Sequence, residues 1–385
     1  MRASLPLGRI AGVPVGVNWS VLVIFALIAF GLSVNLLPNV YPGYPPWAYF
    51  VVGFSAAVVF FGGLLAHEVS HAVLAKRNGL EVGGITLWLF GGVAELRGEP
   101  RSPGADLRIA GVGPLVSLTI GLAFGAVAAG FALTGAQGLV VGAFSWLAGI
   151  NILLAVFNLL PAAPLDGGRV LRAALWKLRG DRVRAAIAAA RAGRVLGVLL
   201  IALGLWQFLA GPAFGGLWLA FIGWFLIGAA AAEEQQVRVS SALAGVRVRD
   251  VMTEQPQTAP PDLTVADFID HYLFTYRHAA LPLAEDGRAV GLVTLDRVRQ
   301  VPPAQRATTS LRQVACRSEE LVTANPDEQV MDLLPRLNEC TDGRALVVSD
   351  GELVGIVSPS DIDRAVQRGS LREQAGNGRT ARWTE

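Results

Sequence analysis

The sequence predicts a polytopic α-helical membrane domain followed by a soluble α/β domain built on an internal repeat. Three observations predict it. The 385-residue chain is 53% hydrophobic and only 16% charged, with a mean hydropathy of +0.48, and nearly all of the apolar surplus lies before residue 233. Six stretches in that part are long enough for the roughly 20 apolar residues that a spanning helix needs. From about Val246 onward the polar and charged density is ordinary, and one sequence pattern occurs twice. The expected organisation is a membrane domain at 1–232, a linker at 233–245, repeat units at 246–305 and 306–370, and a polar tail at 371–385 read as disordered. The net charge of +2 is too small to suggest a nucleic-acid partner.

The spans are expected near 17–37, 48–75, 107–133, 138–160, 186–209 and 213–232. The first follows Arg2 and Arg9 but is too long for a signal peptide and lacks a small-residue cleavage site, so it reads as a retained helix. Segments 38–47, 134–137 and 210–212 hold no Lys or Arg, whereas Lys76, Arg77, Arg97 and Arg101 lie between the second and third spans and Arg108 at the very start of the third. Arg169, Arg172, Lys177, Arg179, Arg182 and Arg184 lie between the fourth and fifth. Positive residues stay inside, so these loops, both termini and the soluble domain are expected on the cytoplasmic side of the plasma membrane. Between the second and third spans, EVGGITLWLFGGVAEL (81–96) alternates Ile85, Leu87 and Leu89 with Thr86 and Trp88 between glycine pairs. It reads as a short membrane-associated β-hairpin, or as a structural loop dipping into the membrane.

The second span ends in AHEVSHA (66–72). Ionisable residues inside a spanning helix cost roughly 2.5–3.5 kcal/mol each, so three together call for a compensating partner such as a cation. His67 and His71 are four apart and project from one helical face, where they can grip one metal ion, with Glu68 beside them as a general base. A catalytic zinc ion takes three protein ligands and keeps one position open. The other histidines, His271 and His278, belong to the soluble part, so the third ligand is sought among carboxylates. The candidate is Asp166 in NLLPAAPLDGGR (158–169), which follows the fourth span at the same expected membrane depth. Asp-Gly-Gly after Pro is also ordinary turn chemistry. Two histidines and a carboxylate suit iron as well, although the HExxH spacing favours zinc.

HEVSH followed about 90 residues later by N-x-x-P-x-x-P-L-D-G-G, with LFGGVAEL and GVGPLVSL (111–118) between them, resembles the site-2 protease family of intramembrane zinc metalloproteases. The resemblance covers about residues 7–232. It implies one zinc ion per chain held by His67, His71 and Asp166, with Glu68 as the catalytic base. Asn158 matches the motif asparagine that the family uses to hold the substrate strand; its plainer role is to cap the fourth span. The family's sheet at the position of residues 81–96 implies pairing with an extended substrate by strand addition. A single-pass membrane protein is the substrate class that the resemblance implies.

In the soluble part, each repeat has a short apolar segment, an amphipathic helix, and two strands joined at Asp-Gly: PLAEDGRAVGLVT and ALVVSDGELVGIVS. This resembles a tandem pair of cystathionine-β-synthase (CBS) domains, which implies ATP, ADP or AMP as a regulatory ligand and a homodimer formed through the pair. The nucleotide signature is intact in the second unit as Gly355, Ser358 and Asp361, whereas in the first Asp296 follows Thr294 one position early. Cys316 and Cys340 are too few for a disulfide framework and are expected as reduced core residues. His271 and His278 are expected at the surface or in packing. The competing function class is a CBS-gated channel or transporter whose buried His and Asp form an ion path. Glu68 separates the two, because hydrolysis needs a base there and ion passage does not.

Overall fold

The computed structural model describes residues 4–88, 91–135, 138–211, 214–273 and 279–380. The chain divides into two compact units, Met1–Val237 and Arg238–Glu385.

The first unit opens with strands β1 (Leu5–Ile10) and β2 (Val13–Val17). The first span joins α1 (Val21–Gly31) through a π-helical turn at Leu32–Leu36 to α2 (Leu37–Val40). Then come α3 (Pro46–Arg77), β3 (Glu81–Trp88), β4 (Gly91–Arg97), α4 (Pro103–Leu133) and α5 (Leu139–Asn158). The short α6 (Asp166–Arg179) precedes α7 (Arg182–Ala210) and α8 (Phe214–Ala242). Among the described residues, six helices are long and apolar enough to cross a membrane, in the order expected. Helices suit the bilayer because each satisfies its own backbone hydrogen bonds. Their outward faces carry exposed Phe30, Phe54, Leu122, Leu153, Trp206 and Trp224.

Helix α8 runs to Ala242, so most of the expected linker is helical. Glu233 and Glu234 end the apolar run but not the helix, since Glu is a good helix former and Glu234 pairs with Arg194 of α7. Helices α7 and α8 pack through small residues: a Cβ added at Gly197 would lie 2.7 Å from the Gly223 carbonyl oxygen, and one at Gly204 would lie 2.4 Å from that of Gly216.

The expected hairpin is half of a four-stranded sheet of order β1-β2-β3-β4. Strand β2 runs parallel to β3 with Val15 opposite Ile85, and β3 runs antiparallel to β4. Val13, Val15 and Ile85 bury one face of the sheet against Ala72 of α3. The two N-terminal strands escape sequence reading because Gly and Pro interrupt their alternation.

In the second unit, one sheet has the order β5-β11-β10-β9 and the other β6-β7-β8. Strands β5 (Thr253–Glu254), β6 (Ala280–Glu285) and β7 (Arg288–Thr294) come from the first repeat. Strands β8 (Cys316–Arg317), β9 (Thr323–Ala324), β10 (Ala345–Ser349) and β11 (Glu352–Val357) come from the second. Each sheet therefore takes an edge strand from the other repeat, across the expected division at 305/306. Ala280 and Leu292 of the first repeat share a core with Cys316 and Leu346 of the second.

That shared core corrects the reading of the cysteines, because Cys316 and Cys340 form a disulfide. They lie 24 residues apart within the second repeat, a separation that no helix or strand period links. The last helix, from Pro359 to Thr380, also corrects the expected disordered tail as far as Thr380. Residues 381–385, like His278, lie outside the described residues, and His271 is exposed.

Candidate metal centre

Helix α3 presents His67 and His71 on one buried face. Asp166 is the first residue of α6, which begins after the turn PAAPL. That turn is fixed by its backbone: Ala163 N–H donates to the Ala189 carbonyl of α7 at 3.1 Å. Gly167 and Gly168 follow because a Cβ at either would lie 2.2–2.3 Å from backbone atoms of Leu160 or Ala163. The DGG signal in the sequence thus marks a close backbone approach as well as a candidate ligand position.

The three side chains converge. His67 Nε2 and His71 Nε2 are 3.1 Å apart, and each lies 3.2 Å from Asp166 Oδ2. Ligands about 2.0–2.1 Å from a tetrahedral zinc ion are separated by roughly 3.3–3.4 Å, so the donor triangle has the size that such an ion requires. The donor chemistry agrees. His71 Nδ1 donates to the Ile109 carbonyl oxygen at 2.6 Å, which leaves Nε2 of the neutral ring as a lone pair aimed at a carboxylate oxygen. Burial alone would raise the pKa of Asp166, but positive charge shared with the two histidines, as a proton or a cation, holds it well below the ordinary carboxylate range. Two imidazole nitrogens and an anionic oxygen approach this closely only with positive charge among them, and a dication satisfies all three.

Helix α4 supplies the surroundings of both histidines. Ser117 Oγ lies 2.9 Å from His67 Nδ1 and is fully buried. Gly113 passes the rings so closely that a Cβ there would lie 2.2 Å from His71 Nε2 and 2.6 Å from His67 Nε2. Glu68 lies against β4, the last strand in the sheet order: a Cβ on Gly92 would sit 2.7 Å from Glu68 Oε1. Asn158 is the last residue of α5 and is half-buried, and its amide makes no hydrogen bond among the described residues. It therefore does not cap the helix.

In the second unit, Gly355 lies on β11 against Met252. Asp361 Oδ2 accepts the Ser358 N–H at 2.9 Å and also the Ser358 hydroxyl, while Oδ1 accepts from Arg364. This closes the first turn of the last helix. A cavity of about 570 Å³ adjoins it, lined among others by Ser241, Ala242, Asp250, Asp361, Arg364 and Arg368. In the first repeat, Thr294 instead caps its helix by accepting from Arg297 N–H.

The family model "Peptidase family M50" matches residues 55–136 and 133–202, and the CBS domain model matches residues 248–303 and 311–368. The chain is 49% identical over 368 residues to Rip3 of Mycobacterium tuberculosis, covering 95% of this chain and 93% of that protein. The chain belongs to peptidase family M50. It is a metalloprotease that carries a CBS pair, which decides against the channel or transporter reading. The zinc metalloprotease MJ0392 of Methanocaldococcus jannaschii is 28% identical over 374 residues, covering 97% of this chain and 99% of that protein. Among solved structures, the site-2 protease from the same organism covers 60% of this chain and 94% of its own, at 27% identity and a TM-score of 0.41.

Several M50-domain residues around the metal centre escaped sequence reading. Ser117 had one usable signal, a polar residue within an apolar span. The Ile109 carbonyl had none, because a backbone contact 38 residues away leaves no mark on residue type.

Proposed function

We propose that this M50 peptidase is an intramembrane zinc endopeptidase that cuts single-pass membrane proteins and that an adenine nucleotide in the CBS pair modulates it. The observation that carries this reading is the donor triangle of His67, His71 and Asp166 with Glu68 beside it, on a helix long and apolar enough to cross a membrane. When bound there, a zinc ion supplies a Lewis acid for the scissile carbonyl and makes water more acidic. Glu68 accepts the proton of the attacking water and delivers it to the leaving nitrogen, so no covalent acyl-enzyme forms. His67 and His71 keep their orientation through Ser117 and the Ile109 carbonyl.

A helical substrate buries its carbonyls in its own hydrogen bonds and must unwind to be cut. Strand β4 ends the sheet order and runs against Glu68, which suits it to receive the unwound segment as an added strand. The unpartnered Asn158 amide can then hold the substrate backbone. For regulation, the support is the intact Gly355, Ser358 and Asp361 signature and the adjoining cavity. Plasma-membrane residence with cytoplasmic termini rests on loop charge.

The test is purified full-length protein in detergent with a model membrane substrate. Wild type is expected to hold about one zinc ion per chain and to cut. Glu68→Gln should keep the zinc ion and lose cleavage, because the ligands persist while the base is gone. His67→Ala and Asp166→Ala should lose both. Full cleavage by Glu68→Gln, or wild type devoid of metal yet active, would overturn the reading.

A further inference from the structure

Asp106 is fully buried in the first turn of α4, and one guanidinium takes both of its oxygens. Arg172 Nε donates to Oδ2 at 2.8 Å and Nη2 donates to Oδ1 at 2.7 Å, while Arg169 Nη2 lies 3.5 Å from Oδ1. Such a two-pronged pair fixes direction as well as distance. As a device for stability alone, a buried ion pair is a poor choice, since removing two charges from water offsets most of their attraction. The helices that the pair joins show a better use.

Arg169 and Arg172 belong to α6, whose first residue is the candidate ligand Asp166, so they sit one and two turns along the same rigid helix. Asp106 belongs to α4, which also carries the Ile109 carbonyl that holds His71 and the Ser117 hydroxyl beside His67. Helix α4 thus bears, in sequence, the anchor of the carboxylate's helix and the anchors of the two imidazoles. We propose that Asp106 and Arg172 are a positioning pair that sets Asp166 against His67 and His71. Neither residue belongs to the donor triangle. Glu233 of α8 adds its charge to the same cluster, acting on Arg172 and Arg169.

This inference rests on the zinc-peptidase reading, and its test separates the two. Zinc affinity of full-length protein in detergent is measured by chelator competition, and melting is measured with and without zinc. Asp106→Asn and Arg172→Gln are expected to bind zinc about 10–100-fold more weakly, the range for losing a partner behind the ligands. Arg172→Lys keeps the charge but not the fork and should fall between them and wild type. Cobalt-substituted variants should show a visible spectrum shifted from that of cobalt-substituted wild type, because the carboxylate reaches the ion differently. A purely structural pair would instead lower the melting point of metal-free protein and leave affinity and spectrum unchanged, which would overturn the proposal. Wild type without zinc would overturn the zinc reading and this inference together, whereas zinc-replete wild type with unaltered variants overturns this inference alone.

Discussion

At the scale of the residue, the side-chain cluster of the candidate metal centre was legible in the sequence where its spacing is local and illegible where it is tertiary. His67, Glu68 and His71 are spaced by one helical turn, so the period of the helix alone puts the imidazoles on one face. Asp166 was reachable because loop charge predicts one depth for the two motifs, and its carboxylate does meet both imidazoles. Asp106 with Arg172, 66 residues apart, and His67 with Ser117, 50 apart, were not reachable, since no period links them. Gly113 lies between these cases: the sequence shows a glycine before Pro114, and only the fold shows what it faces. Gly113→Ala is therefore expected to act as a ligand mutation without touching a ligand. Its methyl group would occupy the space between the two Nε2 atoms, and a helix backbone cannot yield by the needed ångström. Zinc content should fall well below one ion per chain while helicity by circular dichroism stays near that of wild type. Full zinc occupancy in this variant would contradict the close approach of α4.

At the scale of the element, the long apolar helices were legible because length and composition suffice for them. The reading failed where an element's identity depends on its neighbours. Helix α6 looked like a basic loop between spans, yet its apolar side gives it a place against the membrane helices, and Gly180 ends it in the left-handed conformation at φ +71°. The exchanged edge strands follow from packing between repeats and the disulfide from a tertiary approach within the second repeat, and neither leaves a local mark in the sequence. Orientation is the property of the spans that loop charge addresses and that labelling can measure. In a chain with Cys316 and Cys340 replaced by Ser, a cysteine at Thr134, exposed at the end of α4, should react in intact cells with an impermeant thiol reagent. A cysteine at Arg101, exposed just before α4, should react only after the membrane is opened. The opposite pattern would reverse the expected orientation and put Glu68 at the other side of the membrane.

At the scale of the whole molecule, the question is how a ligand in the soluble unit can alter cleavage in the membrane unit. Tight binding alone shifts nothing; the nucleotide must bind two conformations of the chain with different affinity. Helix α8 offers the covalent route, for it is continuous from Phe214 to Ala242, and Ser241 and Ala242 at its end line the cavity beside Asp361. The same helix carries Glu233, which acts on Arg172 and Arg169, and Glu234, which pairs with Arg194 of α7. ATP, ADP or AMP is accordingly expected to change the rate at which detergent-solubilised protein cuts a model substrate. Asp361→Ala should abolish both binding and response, with zinc content unaltered. Because Asp361 also closes the first turn of its helix, Arg368→Ala on the cavity wall serves as the second variant and should weaken binding without removing that cap. Two glycines inserted after Val237 should leave nucleotide binding intact and erase the response, since glycine is a poor helix former and would interrupt the continuous helix. A response that survives the insertion would rule out α8 as the route. If calorimetry at millimolar nucleotide detects no binding to the wild-type protein, the regulatory reading falls, and the CBS pair is better understood as a module that joins copies of the chain or recruits substrate.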